Sequence, residues 1–281
     1  MLQNPLRSVH ACHAALRDDI GCIRVQRVLP GVAAQIDPFV GFAHYGPQHY
    51  TSRTGALAFG TKPYRGFEEV LFVLAGEMEY RDESGQHGIV RPGGVKWVSA
   101  GDGIVQHEEI TEDFVRSAGR FELLRLWINL PAAIKKSDPS SRVLQRSELL
   151  CFDLHGGNVV VDLVAGKLGR QRGPLRSAID LTLFMLRMGA GEVVRVPAPR
   201  GYTACVYLLR GRMGVADTLV RPYQFVQLAD DGDSFEIVAF ERSVMMVAVA
   251  PPLNEPLVAF GPFVMNTQTE VDQAVSDYQL I

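Results

Sequence analysis

The chain reads as short apolar runs broken every few residues by Gly, Pro, Asp and Asn, and few segments carry a sustained helical period. Residues 70–74, 159–161, 206–209 and 244–249 are such runs. Many short strands with frequent turn signals predict a β-sandwich or barrel. Arg81-Asp82-Glu83-Ser84-Gly85, directly after the run Met78-Glu79-Tyr80, has hairpin chemistry, and Asp230-Asp231-Gly232-Asp233 reads as a second polar turn. One helix is predicted, at the end of the chain. Thr267-Gln268-Thr269-Glu270 is a capping box, and Val271, Ala274, Val275 and Tyr278 follow at helical spacing.

The pattern repeats. Residues 62–76 align with residues 197–211 at a constant offset of 135 (197 − 62), without a gap. Arg65-Gly66-Phe67 falls on Arg200-Gly201-Tyr202, an apolar strand follows in both, and both end on Gly, at Gly76 and Gly211. Arg91-Pro92 is echoed by Arg221-Pro222 at an offset of 130 (221 − 91). Two copies of one β-sandwich are therefore expected, as domains 1–134 and 135–281. The polar stretch 135–147, with Pro139, is expected to link them. How residues 1–20 fit this scheme is left open by the sequence.

Composition narrows the function without naming it. With 281 residues, 47% of them hydrophobic, the chain has material for two packed domains. Its formal charge of −3 and lack of a basic stripe give no general attraction to nucleic acid or anionic membrane. No apolar run reaches the length of a membrane span, and residues 1–19 lack the apolar core of a signal peptide. Cys12, Cys22, Cys151 and Cys205 form no C-x-x-C pair, so a cytoplasmic protein with reduced thiols is expected. There is no P-loop and no G-x-S-x-G nucleophile elbow.

A run of ordered motifs carries a family resemblance. Asp37-Pro38-Phe39 with His44-Tyr45-Gly46-Pro47, Lys62-Pro63-Tyr64-Arg65-Gly66-Phe67-Glu68, Arg91-Pro92-Gly93, Leu126-Trp127-Ile128-Asn129-Leu130-Pro131 and Gly261-Pro262-Phe263-Val264-Met265-Asn266-Thr267 resemble the signatures of the pirin family, with Ala43 where that family has Asp. The resemblance runs from about residue 24 onward. It implies an all-β bicupin: two cupin-type β-sandwich or barrel domains with a short C-terminal helix. It further implies that the N-terminal barrel of such proteins holds iron on three His and one Glu, drawn from an H-P-H and an H-x-E motif. Some members oxidise quercetin, and some eukaryotic members are nuclear co-regulators.

Carried over by position, three of those four ligands are changed. The His positions are occupied by Lys62, Tyr64 and Gln106, and only Glu108 matches. An ammonium has no lone pair for a metal, a Gln carbonyl is a weak donor, and Tyr binds only after losing a proton from a pKa near ~10. A one-residue slip would bring His107 into the barrel with Glu109 as its carboxylate. Such a slip turns every side chain to the opposite face unless a bulge corrects it, so a rim position is the simpler expectation for His107. No metal or other cofactor is therefore expected, although the resemblance implies Fe²⁺. An ion pair between Lys62 and Glu108 is expected to stand in for the metal, with Tyr64 and Gln106 completing a hydrogen-bond network. His44 is expected to be structural; His49, His87 and His155 are expected to be exposed; His10 and His13 have no assigned place. Pro197 and Pro199 occupy the matching positions of the second barrel and ligate nothing.

Three functional readings follow. One is a small-molecule or protein-binding, regulatory role for the N-terminal barrel, with no direct nucleic-acid or membrane partner. Another is a quercetin 2,3-dioxygenase-type oxygenase with an altered site. Whether the chain is an enzyme stays open; metal-free proton transfer by Lys62, Tyr64 or Glu108 is a third reading.

Overall fold

The computed structural model describes residues 5–32, 36–50, 58–154 and 156–278. The chain forms two compact β units, each assembled from three segments. The N-terminal unit comprises Arg17–Pro30, Phe39–Ser147 and Leu253–Ile281; the C-terminal unit comprises Met1–Leu16, Gly31–Pro38 and Glu148–Pro252. The expected division at 134/135 is thus redrawn at both ends. The strand Val9–Ala14 pairs antiparallel with Gln224–Leu228, so the start of the chain edges the C-terminal unit's sheet. Phe263–Met265 lies instead beside Arg65, whose carbonyl accepts from the Val264 amide at 3.0 Å.

Among the described residues, each unit has a seven-stranded and a four-stranded antiparallel sheet. In the N-terminal unit the larger sheet centres on Phe67–Ala75, Gly119–Asn129 and Phe39–Tyr50. The smaller sheet orders Ala58–Tyr64, Ile104–Ile110, Met78–Asp82 and His87–Val90. The apolar runs of the sequence are strands buried on both faces; residues 67–73 are all buried. That is why they read as continuous rather than alternating.

The internal repeat is structural. Phe67–Ala75 and Thr203–Arg210 each stand third in their seven-stranded sheet. The paired glycines share a left-handed backbone: φ is +84° at Gly66 and +80° at Gly201, +85° at Gly76 and +92° at Gly211. At Gly66 a Cβ would lie 2.0 Å from the Val264 carbonyl oxygen, so the turn before the central strand admits no side chain.

The predicted turns and helix form as expected. Asp82 Oδ1 accepts from the amides of Ser84 at 3.0 Å and Gln86 at 3.1 Å, closing the hairpin. The helix Gln268–Tyr278 begins on its capping box: the Glu270 amide donates to Thr267 Oγ1 at 3.3 Å, and Glu270 Oε2 accepts from the Thr267 amide at 3.0 Å. A second short helix, Glu112–Ser117, lacks a long periodic signal and was not legible. The expected linker is instead part of the N-terminal unit. Ser140–Leu144 pairs with Val95–Ser99 as an edge strand, and Lys135 is buried.

The C-terminal unit encloses an apolar core of Val, Leu, Phe, Met and Ala side chains, with Pro197 and Pro199 exposed. Its N-terminal arm is anchored by a buried arginine. The Arg7 guanidinium donates to the carbonyls of Pro199 at 2.6 Å, Tyr202 at 2.8 Å and Ala198 at 3.1 Å, and to Asp230 at 2.8 Å. No helix among the described residues is long and apolar enough to cross a membrane.

Candidate functional site

The site is built on the strand Ile104–Ile110, whose burial alternates strictly. Ile104, Gln106, Glu108 and Ile110 are buried; Val105, His107 and Glu109 are partly exposed on the other face. The register against Ala58–Tyr64 is regular from Ile104 to Glu108, and it shifts only after Glu108. His107 therefore faces away from Gln106 and Glu108. Its Nδ1 lies 3.0 Å from Thr61 Oγ1 and its Nε2 3.6 Å from Glu109. The slipped register that would make His107 a ligand does not occur.

The four positions carried over from the family do not act as one group. Tyr64, Gln106 and Glu108 are buried. Lys62 pairs across the strands with Gln106, yet it is exposed and forms no ion pair within 4 Å among the described residues. The expected Lys62–Glu108 pair is replaced by two other cations. Lys96 Nζ donates to Glu108 Oε1 at 2.8 Å and also to Gln106 Oε1. Arg125 donates to Glu108 Oε2, to both oxygens of Glu69 at 2.9 Å and to the Tyr64 hydroxyl at 3.1 Å. Trp127 Nε1 donates to Glu69 Oε2 at 2.7 Å. Lys96 also sits 4.9 Å from the Tyr80 ring centre, and Arg125 sits 5.1 Å from that of Phe59.

These four charges are almost fully enclosed: Lys96 is 0%, Glu69 1%, Glu108 2% and Arg125 6% exposed. Two carboxylates and two cations leave the interior formally neutral, which is what makes such burial tolerable. Their positions follow from strand geometry. Glu69, Lys96 and Arg125 come from three neighbouring strands of the larger sheet, while Gln106 and Glu108 come from the smaller one.

The electrostatics follow from the geometry. Burial pushes the Glu108 carboxyl up, but the Arg125 and Lys96 charges outweigh it and bring the pKa down to about 2. Burial would lower the Arg125 pKa, yet Glu108 and Glu69 hold it well above its ordinary value. Burial, with Glu69 beside it, drives the Tyr64 hydroxyl well up, so it is a neutral donor and acceptor. At Lys62 the surrounding protein and then the Arg125 charge lower the amine's pKa, although the residue is exposed.

A pH prediction arises here. The folded Glu108 pKa lies below the ordinary 4.5, so its contribution is complete above about pH 4.5 and is lost as pH falls toward 2. The gap corresponds to stability on the order of 3 kcal/mol. Acid unfolding followed by tryptophan fluorescence should be shallower in Glu108→Gln over that window. Identical acid limbs in the two proteins would refute the assignment.

A cavity of about 50 Å³ lies beside Arg125, lined also by Arg27, Leu29, Ala43, Tyr45 and Trp127. Arg27 donates through Nε to Asp18 at 2.6 Å.

Of the histidines, His44 is fully buried with Nε2 3.1 Å from Glu122 Oε1. His49 and His87 are exposed, and His155 lies outside the described residues. His10 and His13 lie on the edge strand Val9–Ala14 of the C-terminal unit. Sequence reasoning missed Glu69, Lys96 and Arg125. Their signal was present: each is a charge inside an apolar strand, Lys96 and Arg125 alone in Val-Lys-Trp-Val and Leu-Leu-Arg-Leu-Trp and Glu69 beside Glu68 in Phe-Glu-Glu-Val.

Comparison with known proteins agrees with this architecture. A family model described as Pirin matches residues 22–128, and one described as Pirin C-terminal cupin domain matches residues 183–281. A Pseudomonas aeruginosa protein provisionally named quercetin 2,3-dioxygenase is 33% identical over 244 residues, covering 87% of this chain and 85% of its own. Pirin-1 of Arabidopsis thaliana is 30% identical over 250 residues, 87% and 82% of the two chains. The crystal structure of a quercetin 2,3-dioxygenase from Acinetobacter baumannii matches with a TM-score of 0.92 at 26% identity over 98% of each chain. A bacterial pirin from Escherichia coli, crystallised with nickel(II), shares the fold at 18% identity and a TM-score of 0.69, covering 86% of this chain and all of its own.

Proposed function

The chain belongs to the pirin family, and from that premise we propose that its N-terminal barrel works as a metal-independent binding pocket. One observation carries this reading. Both oxygens of Glu108, the one matching ligand residue, are engaged by buried cations, Lys96 on one and Arg125 on the other.

This donor set does not fit a divalent metal. An ion at Glu108 would have to displace two cations that repel it. Lys62 and Gln106 offer no imidazole, and Tyr64 is held protonated. No group of three or more His, Cys, Asp or Glu converges among the described residues. The ion-pair network supplies the charge balance that a metal would otherwise give, and the cavity beside Arg125 gives a place for a ligand. A protein partner is a further role compatible with a barrel that carries no chemistry of its own.

The second reading is an oxygenase, favoured by the names of the Pseudomonas and Acinetobacter relatives. One experiment separates the two. Protein purified without chelator, and again after anaerobic incubation with Fe²⁺, is measured by elemental mass spectrometry and assayed for oxygen-dependent loss of quercetin. Metal well below stoichiometric and no quercetin loss are expected. Stoichiometric iron with quercetin turnover would establish the oxygenase instead.

A further inference from the structure

We propose that the cavity between Arg27 and Arg125 is a recognition site for a small monocarboxylate. The proposal rests on the metal-independent reading of the barrel and names the class of ligand it takes.

Size comes first. About 50 Å³ is room for about four water molecules, hence for a ligand of only a few heavy atoms. The walls come next. Leu29, Ala43, Tyr45 and Trp127 are apolar surfaces, and the two ionic groups that line the cavity are both guanidinium groups. A pocket of apolar walls with a few fixed polar groups suits a short apolar body with one polar end. Guanidinium groups suit an oxyanion for that end, and the small volume favours a carboxylate over a bulkier phosphate.

Arg125 gives the cavity a fixed wall. Its terminal nitrogens are locked by Glu69, Glu108 and Tyr64, but its buried Nε–H has no partner among the described residues. That Nε–H is sealed from solvent, so it is Arg27, which uses only its Nε on Asp18 among the described residues, that offers further guanidinium donors to a ligand. The locked ends hold the Arg125 side chain in place before any ligand arrives, so little ordering of that wall is needed on binding.

Charge counting sets the valence. Glu69 and Glu108 are balanced by Lys96 and Arg125, and Arg27 is balanced by the exposed Asp18. One carboxylate adds a single negative charge against the two guanidinium groups of the wall; a dicarboxylate would add a second with no further cation on the wall to meet it.

The test uses the full chain after EDTA treatment, with sodium propionate as the probe and propionamide as its neutral isostere, at ionic strength matched with sodium chloride. Ligand-observed NMR and thermal shift report binding. Propionate should saturate in the millimolar range, with propionamide about tenfold weaker or worse. Arg27→Gln should weaken propionate by about tenfold or more, and Arg27→Lys should weaken it less. Arg27 is half-buried and outside the buried network, so these variants are expected to fold. Equal binding of propionamide, no saturation by propionate, or an unchanged Arg27→Gln would each overturn the proposal. Arg27 is also none of the four ligand positions, so the two readings fail separately. Iron uptake with propionate binding retained removes only the metal-independent reading, whereas absence of both removes only the carboxylate site.

Discussion

Replacing Arg125 with Met should destabilise the N-terminal unit by about 3–5 kcal/mol, the loss expected when one partner of a buried ionic network is removed. Met fills much of the same space, so the effect is electrostatic rather than a cavity. Glu108 would keep only Lys96, Glu69 would keep only the Trp127 donor, and the Tyr64 hydroxyl would lose its guanidinium. Two buried carboxylates would then face one ammonium, and one of them would have to take up a proton. Both tryptophans, Trp97 and Trp127, lie in this unit, so fluorescence during urea unfolding reports it selectively. Combining Arg125→Met with Glu108→Gln should cost less than the sum of the single changes by more than about 1 kcal/mol, because the orphaned charge disappears with its partner. A loss below about 1 kcal/mol in the single variant would mean that water already solvates the network. The same variant bears on function. A divalent cation can take the place of that proton with one repelling cation fewer, so the variant's affinity for divalent cations should rise above that of the parent chain.

The fold was legible because each of its signals lies in a short stretch of consecutive residues. Runs such as residues 70–74 and 206–209 announce strands buried on both faces. The repeated Arg-Gly-aromatic turn announces the duplication, since Gly66 and Gly201 need the same left-handed backbone. The capping box fixes the last helix from four residues alone. What the sequence hid was long-range. Lys96 and Arg125 meet Glu108 from the strands before and after its own, and Glu69 joins through Arg125, yet nothing in a linear motif pairs them. Reasoning by position led to Lys62 as the counter-charge because it replaces a ligand. Strand geometry places it on the correct face, yet the residue is exposed. The ends of the chain misled for the same reason. Arg7 and the segment Phe263–Met265 declare their units only through contacts with residues about 190 to 200 positions away.

Lys135 carries the second large prediction. It sits in the stretch that composition assigns to a linker, yet it is 1% exposed. Its Nζ donates to the Gly66 carbonyl at 2.9 Å, to Asn129 Oδ1 at 2.5 Å and to the Val264 carbonyl at 2.6 Å. Burial lowers its pKa to about 8, so at neutral pH it remains an ammonium with three hydrogens for three acceptors. Those acceptors belong to the turn before the central strand, to the end of Gly119–Asn129, and to the segment leading into the last helix. Lys135→Met strands all three oxygens at once. At about 1–3 kcal/mol for each buried polar group left unmade, partly relieved by entering water, the loss should be about 3 kcal/mol or more. It should be uneven. Amide exchange should accelerate in residues 263–278, whose attachment depends on the Val264 contact, while the C-terminal unit's strands keep their protection. Unchanged stability and unchanged exchange in that segment would show that the Arg65 backbone pairing and the Arg65–Asp277 ion pair hold it without the lysine.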